Sequence, residues 1–549
     1  MKKKRATALV LAAMMAAGSL AGCGGGSDKT GGGTDEGASS GEGGYKTTYG
    51  DKQFDDVTIT VELFDRSNAP EGSTLTDNKW VEYVNEQMNK VGITVEFVAV
   101  PRADEVTKMQ TMMSSGTAPD LTLTYTYAYA EDYFNQGGIW DLSEFIDGED
   151  QAKNIKSYIG EDVLDIGRNS EGNLYGITAR RATTAETNLF IRKDWLDDLN
   201  LAVPTTVDEL YEVLTQFVKN NPDGRNDVIG ASFWGLNDAT NNVCYRNTMS
   251  LAFSELAGDQ KEMDIASGFD YYYDPGYREY LRFVNKCFNA GLLDEEYYTM
   301  TTDTYNSDIV NGAMGFFETN VSYNVDILRG NLLKTLQEND PEADIVSIAP
   351  LKNVNDGVQY AATYNPGGLI AFCPKTADAE TVEACMTYLD WMCTEEGGYV
   401  LYHGFEGEHY NLDEAGVPIV IDATYNATDK DWIRTDLFLT GNQGYFATVD
   451  DFNACTAAEN PGYEQYVLDN YTNSLTGTCI QTDSYTSPST PDLKTDLGLV
   501  CTDWIVKCVT CTEDEFDSNY DSFMKACEDA GIETIIEERT EHYNEVYGG

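Results

Sequence analysis

Histidine is nearly missing, with three residues in a chain of 549. Basic residues are scarce as well: 36 Lys and Arg stand against 92 Asp and Glu, for a formal net charge of −56. So acidic a surface repels phosphate backbones, which excludes nucleic acid as a partner. With only three histidines, and no second C-x-x-C for Cys508 and Cys511 (Cys501 nearby) to join, a zinc site lacks partners. No metal and no cofactor is expected. From Tyr45 onward the chain has no G-x-S-x-G, no H-E-x-x-H and no P-loop, so no catalytic motif is found. Carboxylates are so numerous that no pair singles itself out for glycoside hydrolysis. Long apolar runs are also absent: past the N-terminus none approaches the roughly 20 residues a membrane-spanning helix needs.

What is present begins at the N-terminus. Lys2 to Arg5 is basic, Ala6 to Ala17 is apolar, and Leu20-Ala21-Gly22-Cys23 follows. This resembles a bacterial lipoprotein signal peptide over 1–22, with lipid on the Cys23 thiol. Small residues at a cleavage site also suit a plain secretory signal. Lipid at Cys23 makes the protein membrane-anchored on the extracellular face rather than spanning. The Gly-rich stretch that follows has no periodicity and reads, with Cys23, as a flexible tether over 23–50. With Cys23 lipidated, eleven of the twelve cysteines remain. An odd number cannot close into intramolecular disulfides alone. Most are expected to be buried as small hydrophobes.

A chain of this length calls for two or more cores. Val57 to Leu63 alternates with period two and predicts a strand. Helices are predicted over 77–90 and 104–115, and strands over 93–98 and 121–124. This β-α-β-α-β order argues for a parallel α/β lobe. Ligands of such sheets sit beyond the carboxyl ends of the strands, which makes the loops at Asp65 to Asn68 and Tyr125 to Tyr129 candidates. Further on, Leu189-Phe190-Ile191 is an apolar run suited to a buried strand. Thr206 and Glu209 have capping-box spacing ahead of Leu210, Val213, Leu214 and Phe217 on one helical face. The C-terminal third predicts helices over 469–475, 498–515 and 517–538.

Several runs, in order, carry a resemblance. They are S-S-G-T-A-P-D-L at 114–121, G-G-I-W-D-L-S at 137–143, Y-G-I at 175–177 and R-K-D-W-L-D-D-L at 192–199. G-A-M-G at 312–315 and G-F-E-G-E-H-Y at 404–410 complete them. Together they resemble family 1 extracellular solute-binding proteins of ABC transporters, in a Gram-positive carbohydrate-type lipoprotein branch. The resemblance spans roughly Asp55 to Pro418. Thr178 stands where the family's Y-G-[LI]-P run has proline.

The resemblance implies an α/β, two-lobed periplasmic-binding-protein-like fold with a ligand cleft at the hinge crossings. Lobe 1 is expected over 51–188 plus about 370–420. Lobe 2 is expected over 189–369 plus about 421–549, including the C-terminal helices. Leu189, Phe190 and Ile191 would form one hinge crossing, and Gly367 and Gly368 would lend flexibility to the other. Arg66, Tyr125, Tyr127, Trp234, Asn320 and Glu406 are the candidate ligand-binding residues. The implied function is capture of a carbohydrate, best an oligosaccharide, for a membrane permease, by a monomer without enzymatic activity. A monosaccharide- or peptide-binding receptor, a secreted glycan-active enzyme and an adhesion module are the alternatives. Some family members carry a calcium loop near Asn221 to Asp227. Here the loop is two residues short and Arg225 stands where an oxygen is wanted, so a plain Pro-Asp-Gly turn is expected.

Overall fold

The structure, a computed structural model, describes residues 44–549 except 170, 234–235, 237–246, 267–273, 323–330, 443, 447, 482–484, 486 and 548–549. Lipidation at Cys23, the signal peptide and nearly all of the tether lie outside the described residues. Residues 45–549 make one compact unit. Its strands, in chain order, are β1 (Val57–Asp65), β2 (Ile93–Pro101), β3 (Thr122–Thr124), β4 (Ile177–Arg181) and β5 (Thr187–Arg192). Then come β6 (Ile229–Ser232), β7 (Met314–Asn320), β8 (Ile345–Ile348), β9 (Tyr360–Thr363) and β10 (Gly367–Phe372). Last are β11 (Tyr410–Leu412), β12 (Pro418–Val420), β13 (Gly441–Asn442) and β14 (Thr478–Gln481).

The strands build two main sheets, and the pairs β11–β12 and β9–β14 stand apart from them. In the first, β1 and β2 pair in parallel, from Val57 with Ile93 to Asp65 with Pro101. A bridge from Val61 to Leu121 joins them to β3. The order continues β3-β10-β4-β13, with β10 antiparallel to both its neighbours. The second sheet runs β6-β7-β5-β8, with β5 antiparallel to β7 and β8. The chain passes from first to second sheet between Arg181 and Thr187. It leaves the second sheet after β8, runs through β9, which pairs with β14, and rejoins the first sheet between Thr363 and Gly367.

The expected crossing at Leu189, Phe190 and Ile191 is displaced. All three are fully buried in the middle of β5, with both strand edges paired. Leu189 and Ile191 belong to one apolar core, with Trp195, Leu210, Leu214 and Phe217. Phe190 points to the other face, where its ring stacks on Phe317 with centroids 5.4 Å apart. A strand covered on both faces reads as an unbroken apolar run. That run therefore marks the sheet interior, and the passage between sheets is the more polar stretch 182–186.

Local signals in the sequence explain the helices. Thr206 caps the helix Val207–Asn220 by accepting from Glu209 N at 3.2 Å. The Glu209 carboxylate reaches one residue further back than the usual box, to Thr205 N (2.8 Å) and the Thr205 hydroxyl (2.9 Å). The C-terminal helices run Thr490–Thr510, Phe516–Asp529 and Ile532–Tyr547. The long helix expected over 517–538 breaks at Gly531, whose φ of 93° is left-handed. The ten described cysteines are free and mostly buried, and burial pushes the Cys287 thiol up to about 12.

The expected boundary near 420 also moves. Residues 429–442 were expected with the second lobe. They pack instead on the first sheet, where Asp429 O accepts from Trp80 Nε1 (2.9 Å), Asp436 holds Arg66, and β13 pairs with β4. The next helix to reach the second sheet is Glu464–Ser474, where Asn188 Nδ2 donates to Asn470 O (2.9 Å).

Candidate ligand cleft between the sheets

The two crossings are stitched together. Ala185 and Thr363 form an antiparallel bridge, Tyr364 N donates to Thr184 O (2.9 Å), and Arg181 N donates to Pro366 O (2.9 Å). Around this stitch lies a chain of half-buried polar and aromatic side chains. Arg181 Nε donates to Gly367 O (3.0 Å), and its Nη1 donates to Asn442 Oδ1 (3.3 Å). The same guanidinium lies 4.4 Å from the centroid of the Tyr364 ring. Asn442 Nδ2 donates to the Tyr125 hydroxyl (3.4 Å) on the first-sheet side. On the second-sheet side, Asn320 Nδ2 donates to the Tyr364 hydroxyl (3.2 Å). The line Tyr125–Asn442–Arg181–Tyr364–Asn320 thus runs from one sheet to the other.

Each of these residues ends a strand or follows one. Tyr125 follows β3, Arg181 ends β4, Asn320 ends β7, Tyr364 follows β9 and Asn442 ends β13. Strand carboxyl ends are where α/β sheets present ligands. The Tyr364 ring, the Tyr125 hydroxyl, two amides and a guanidinium together offer a ring face with hydrogen-bond donors and acceptors, the mixture a polyhydroxylated ligand needs. The Tyr125 ring itself is packed between Phe64 and Arg102.

The expected site residues divide. Tyr125 and Asn320 stand in the line. Tyr127 supports it from behind: its buried hydroxyl donates to Gly368 O at 2.8 Å. Arg66 is committed to Asp436 through two bonds of 2.6 and 2.8 Å. Glu406 is exposed beside the β11–β12 hairpin and meets none of the line among the described residues. Trp234 lies outside the described residues. Gly367 and Gly368 open β10, and neither has a left-handed φ. A Cβ on Gly368 would fall 2.8 Å from Asn442 Cβ, and one on Gly367 would fall 2.7 Å from Thr178 Cγ2. Close packing, rather than backbone freedom, requires glycine at both positions. Tyr127→Phe should therefore lower stability by about 1–2 kcal/mol, by taking the donor from a buried carbonyl; urea unfolding reads it.

Arg181, Tyr364 and Asn442 escaped the sequence reading. Arg181 and Tyr364 each sit at the lip of a crossing, so a correctly placed crossing would have found them. Asn442 lies in a two-residue strand with no pattern to read.

Two other clusters prove to be structural. His409 Nδ1 accepts from Phe405 N (3.0 Å), which fixes the proton on Nε2, and Nε2–H donates to Asp429 (2.9 Å). The cation between Asp429 and Glu408 is Lys79, at 2.8 and 2.9 Å. In the loop at 221–227, Arg225 pairs with Asp227 at 2.9 Å. There Asp223 accepts from Trp195 Nε1 (2.9 Å) and Arg192 (3.2 Å). Protein donors thus hold both carboxylate oxygens of Asp227 and one of Asp223, oxygens of the kind a calcium ion would want.

Two sheets joined by paired crossings, with strand ends converging at the junction, define a two-lobed binding protein. Residues 80–403 match the bacterial extracellular solute-binding proteins, and the chain belongs to that family. It is 25% identical over 350 residues to the polygalacturonan/rhamnogalacturonan-binding protein YtcQ of Bacillus subtilis, covering 62% of this chain and 64% of that protein. It is 24% identical over 334 residues to lipoprotein LipO of the same organism, covering 59% and 62%. The match thus spans a little under two thirds of each relative. A solute-binding protein of Bifidobacterium longum infantis, described as ABC-transporter-associated and binding HMO, shares the fold. Its TM-score is 0.63 at 17% identity, over 89% of this chain and 99% of that one.

Proposed function

We propose that the chain is the extracellular binding protein of an ABC importer, that it captures an oligosaccharide by closing two lobes, and that it hands the sugar to a membrane permease. The observation that carries this reading is the line from Tyr125 to Asn320, which crosses from sheet to sheet at strand carboxyl ends. The Tyr364 ring, with Arg181 over one face, offers its other face to a sugar ring, and Asn442, Asn320 and the Tyr125 hydroxyl offer polar groups for hydroxyls. Because the line draws on both lobes, a ligand seated on it favours the closed state.

On this reading lobe 1 comprises Tyr45 to Arg181 and Gly367 to Asn442, and lobe 2 comprises Thr187 to Thr363 and the chain from Glu464 on. The carbohydrate-binding relative YtcQ supports the ligand class, and the relation to a protein named as a lipoprotein supports an anchor at Cys23. Among the described residues no helix is long and apolar enough to cross a membrane. The working unit is a monomer, without catalysis.

A thermal-shift screen of the full chain against oligosaccharides, monosaccharides and peptides tests this. A saturating oligosaccharide at a hundredfold excess over its Kd should stabilise the fold by about 2.7 kcal/mol and be recovered intact. Conversion of the sugar to product would make the protein an enzyme. A response to peptides alone would overturn the ligand class.

A further inference from the structure

We propose that the oligosaccharide is acidic, and that Arg181 receives the carboxylate of a uronic acid unit. This rests on the cleft assigned above. Most described arginines have a carboxylate within ion-pairing distance: Arg66 has Asp436, and Arg192 has Asp194 and Asp223. Arg181 has none among the described residues. Its partners are a carbonyl oxygen, an amide oxygen and an aromatic face, all of them neutral.

That arrangement orients the guanidinium without cancelling its charge. A guanidinium carries five N–H donors. Gly367 and Asn442 take two of them, which leaves three on the terminal nitrogens of a half-exposed side chain. Two parallel N–H groups on a planar fork match the two oxygens of a carboxylate, and such charge-assisted bonds are about twice as strong as neutral ones. The surrounding protein carries a net charge of −56. A cation with no carboxylate partner among the described residues is the local exception to that field, and it singles out one anionic group on the ligand. A neutral sugar would bring this guanidinium no counter-charge on closure, at a cost in affinity.

The test is calorimetric titration of the full chain with three ladders of short oligosaccharides. These are oligogalacturonates, the same oligomers with every carboxyl methyl-esterified, and neutral galacto-oligosaccharides. Esterification keeps the rings and hydroxyls and removes only the charge. The acid should bind about tenfold or more tightly than its ester, and the advantage should shrink with added salt. Arg181→Gln should erase the difference between acid and ester, and Arg181→Lys should retain part of it. Should the glutamine variant unfold, the acid-to-ester ratio and its salt dependence in the unaltered protein still decide.

Equal or tighter binding of the ester or the neutral ladder would overturn the acidic ligand and leave the oligosaccharide receptor standing. An acid-to-ester ratio unchanged in a folded Arg181→Gln variant would overturn the role of Arg181. No binding by any of the three ladders would count against both readings.

Discussion

Glu62→Gln should raise stability by no more than about 1 kcal/mol at pH 5 and by about 3–5 kcal/mol at pH 9. Glu62 lies in the middle of β1 and is completely buried. One carboxylate oxygen accepts from Leu123 N (3.1 Å), and the other has no partner among the described residues. Burial, reinforced by the nearby Glu105 carboxylate, pushes its pKa from 4.5 up to about 8. Below pH 4.5 the folded and unfolded chains both carry the proton. From there to about pH 8 the unfolded chain releases it while the folded chain keeps it. Stability is therefore lost as pH rises through that window, and the loss is complete above it.

Glutamine preserves the bond from Leu123 N and has nothing to titrate. Glu318, buried in β7, is pushed up to about 7 and acts in the same direction. It is present in both proteins and cancels in the difference. Urea unfolding of the two proteins across this pH range is the measurement, and parallel curves would sink the prediction.

Arg192→Ala should cost about 3 kcal/mol. The Arg192 side chain is almost wholly buried, and it ties four segments together. It donates to Asp194 at the start of the helix Lys193–Asp198 (2.8 Å) and to Gly312 O ahead of β7 (3.0 Å). It also donates to Asp223 in the loop after the helix Val207–Asn220 (3.2 Å), and its plane lies 4.4 Å from the Trp195 ring. Removing it leaves two partly buried carboxylates without their cation. The double variant Arg192→Met/Asp223→Asn should recover part of the loss, because it removes one of the orphaned charges as well. Guanidinium unfolding gives both numbers, and a change within about 0.5 kcal/mol for the alanine variant would refute the coupling.

The sequence was legible where one physical cause acts over many residues. The β-α-β-α-β order of the first sheet follows from sustained periodicity, and the helix Val207–Asn220 from its cap and its apolar stripe. Family motifs led to the two-lobed fold and to Asn320, and the rule that ligands sit beyond strand carboxyl ends led to Tyr125. Three things were not legible. Leu189 to Ile191 looked like a crossing because a strand buried on both faces and an isolated apolar segment read alike. Arg66 looked free because its partner, Asp436, lies 370 positions away. Asn442 gave no signal because two-residue strands have no period. Each failure concerns a contact made between parts of the chain remote in sequence.

The order of the strands has a consequence for synthesis. The first sheet lacks β10 and β13 until residue 442 has been made. The second core is unfinished until Cys501, Ile505, Phe516 and Phe523 arrive from the C-terminal helices. A growing chain therefore closes its first sheet only at residue 442 and its second core only with the C-terminal helices. Premature termination, even late, leaves apolar core exposed rather than a smaller working domain. A chain cut short within these helices should be cleaved by proteases faster than the full chain, because its second core stays open.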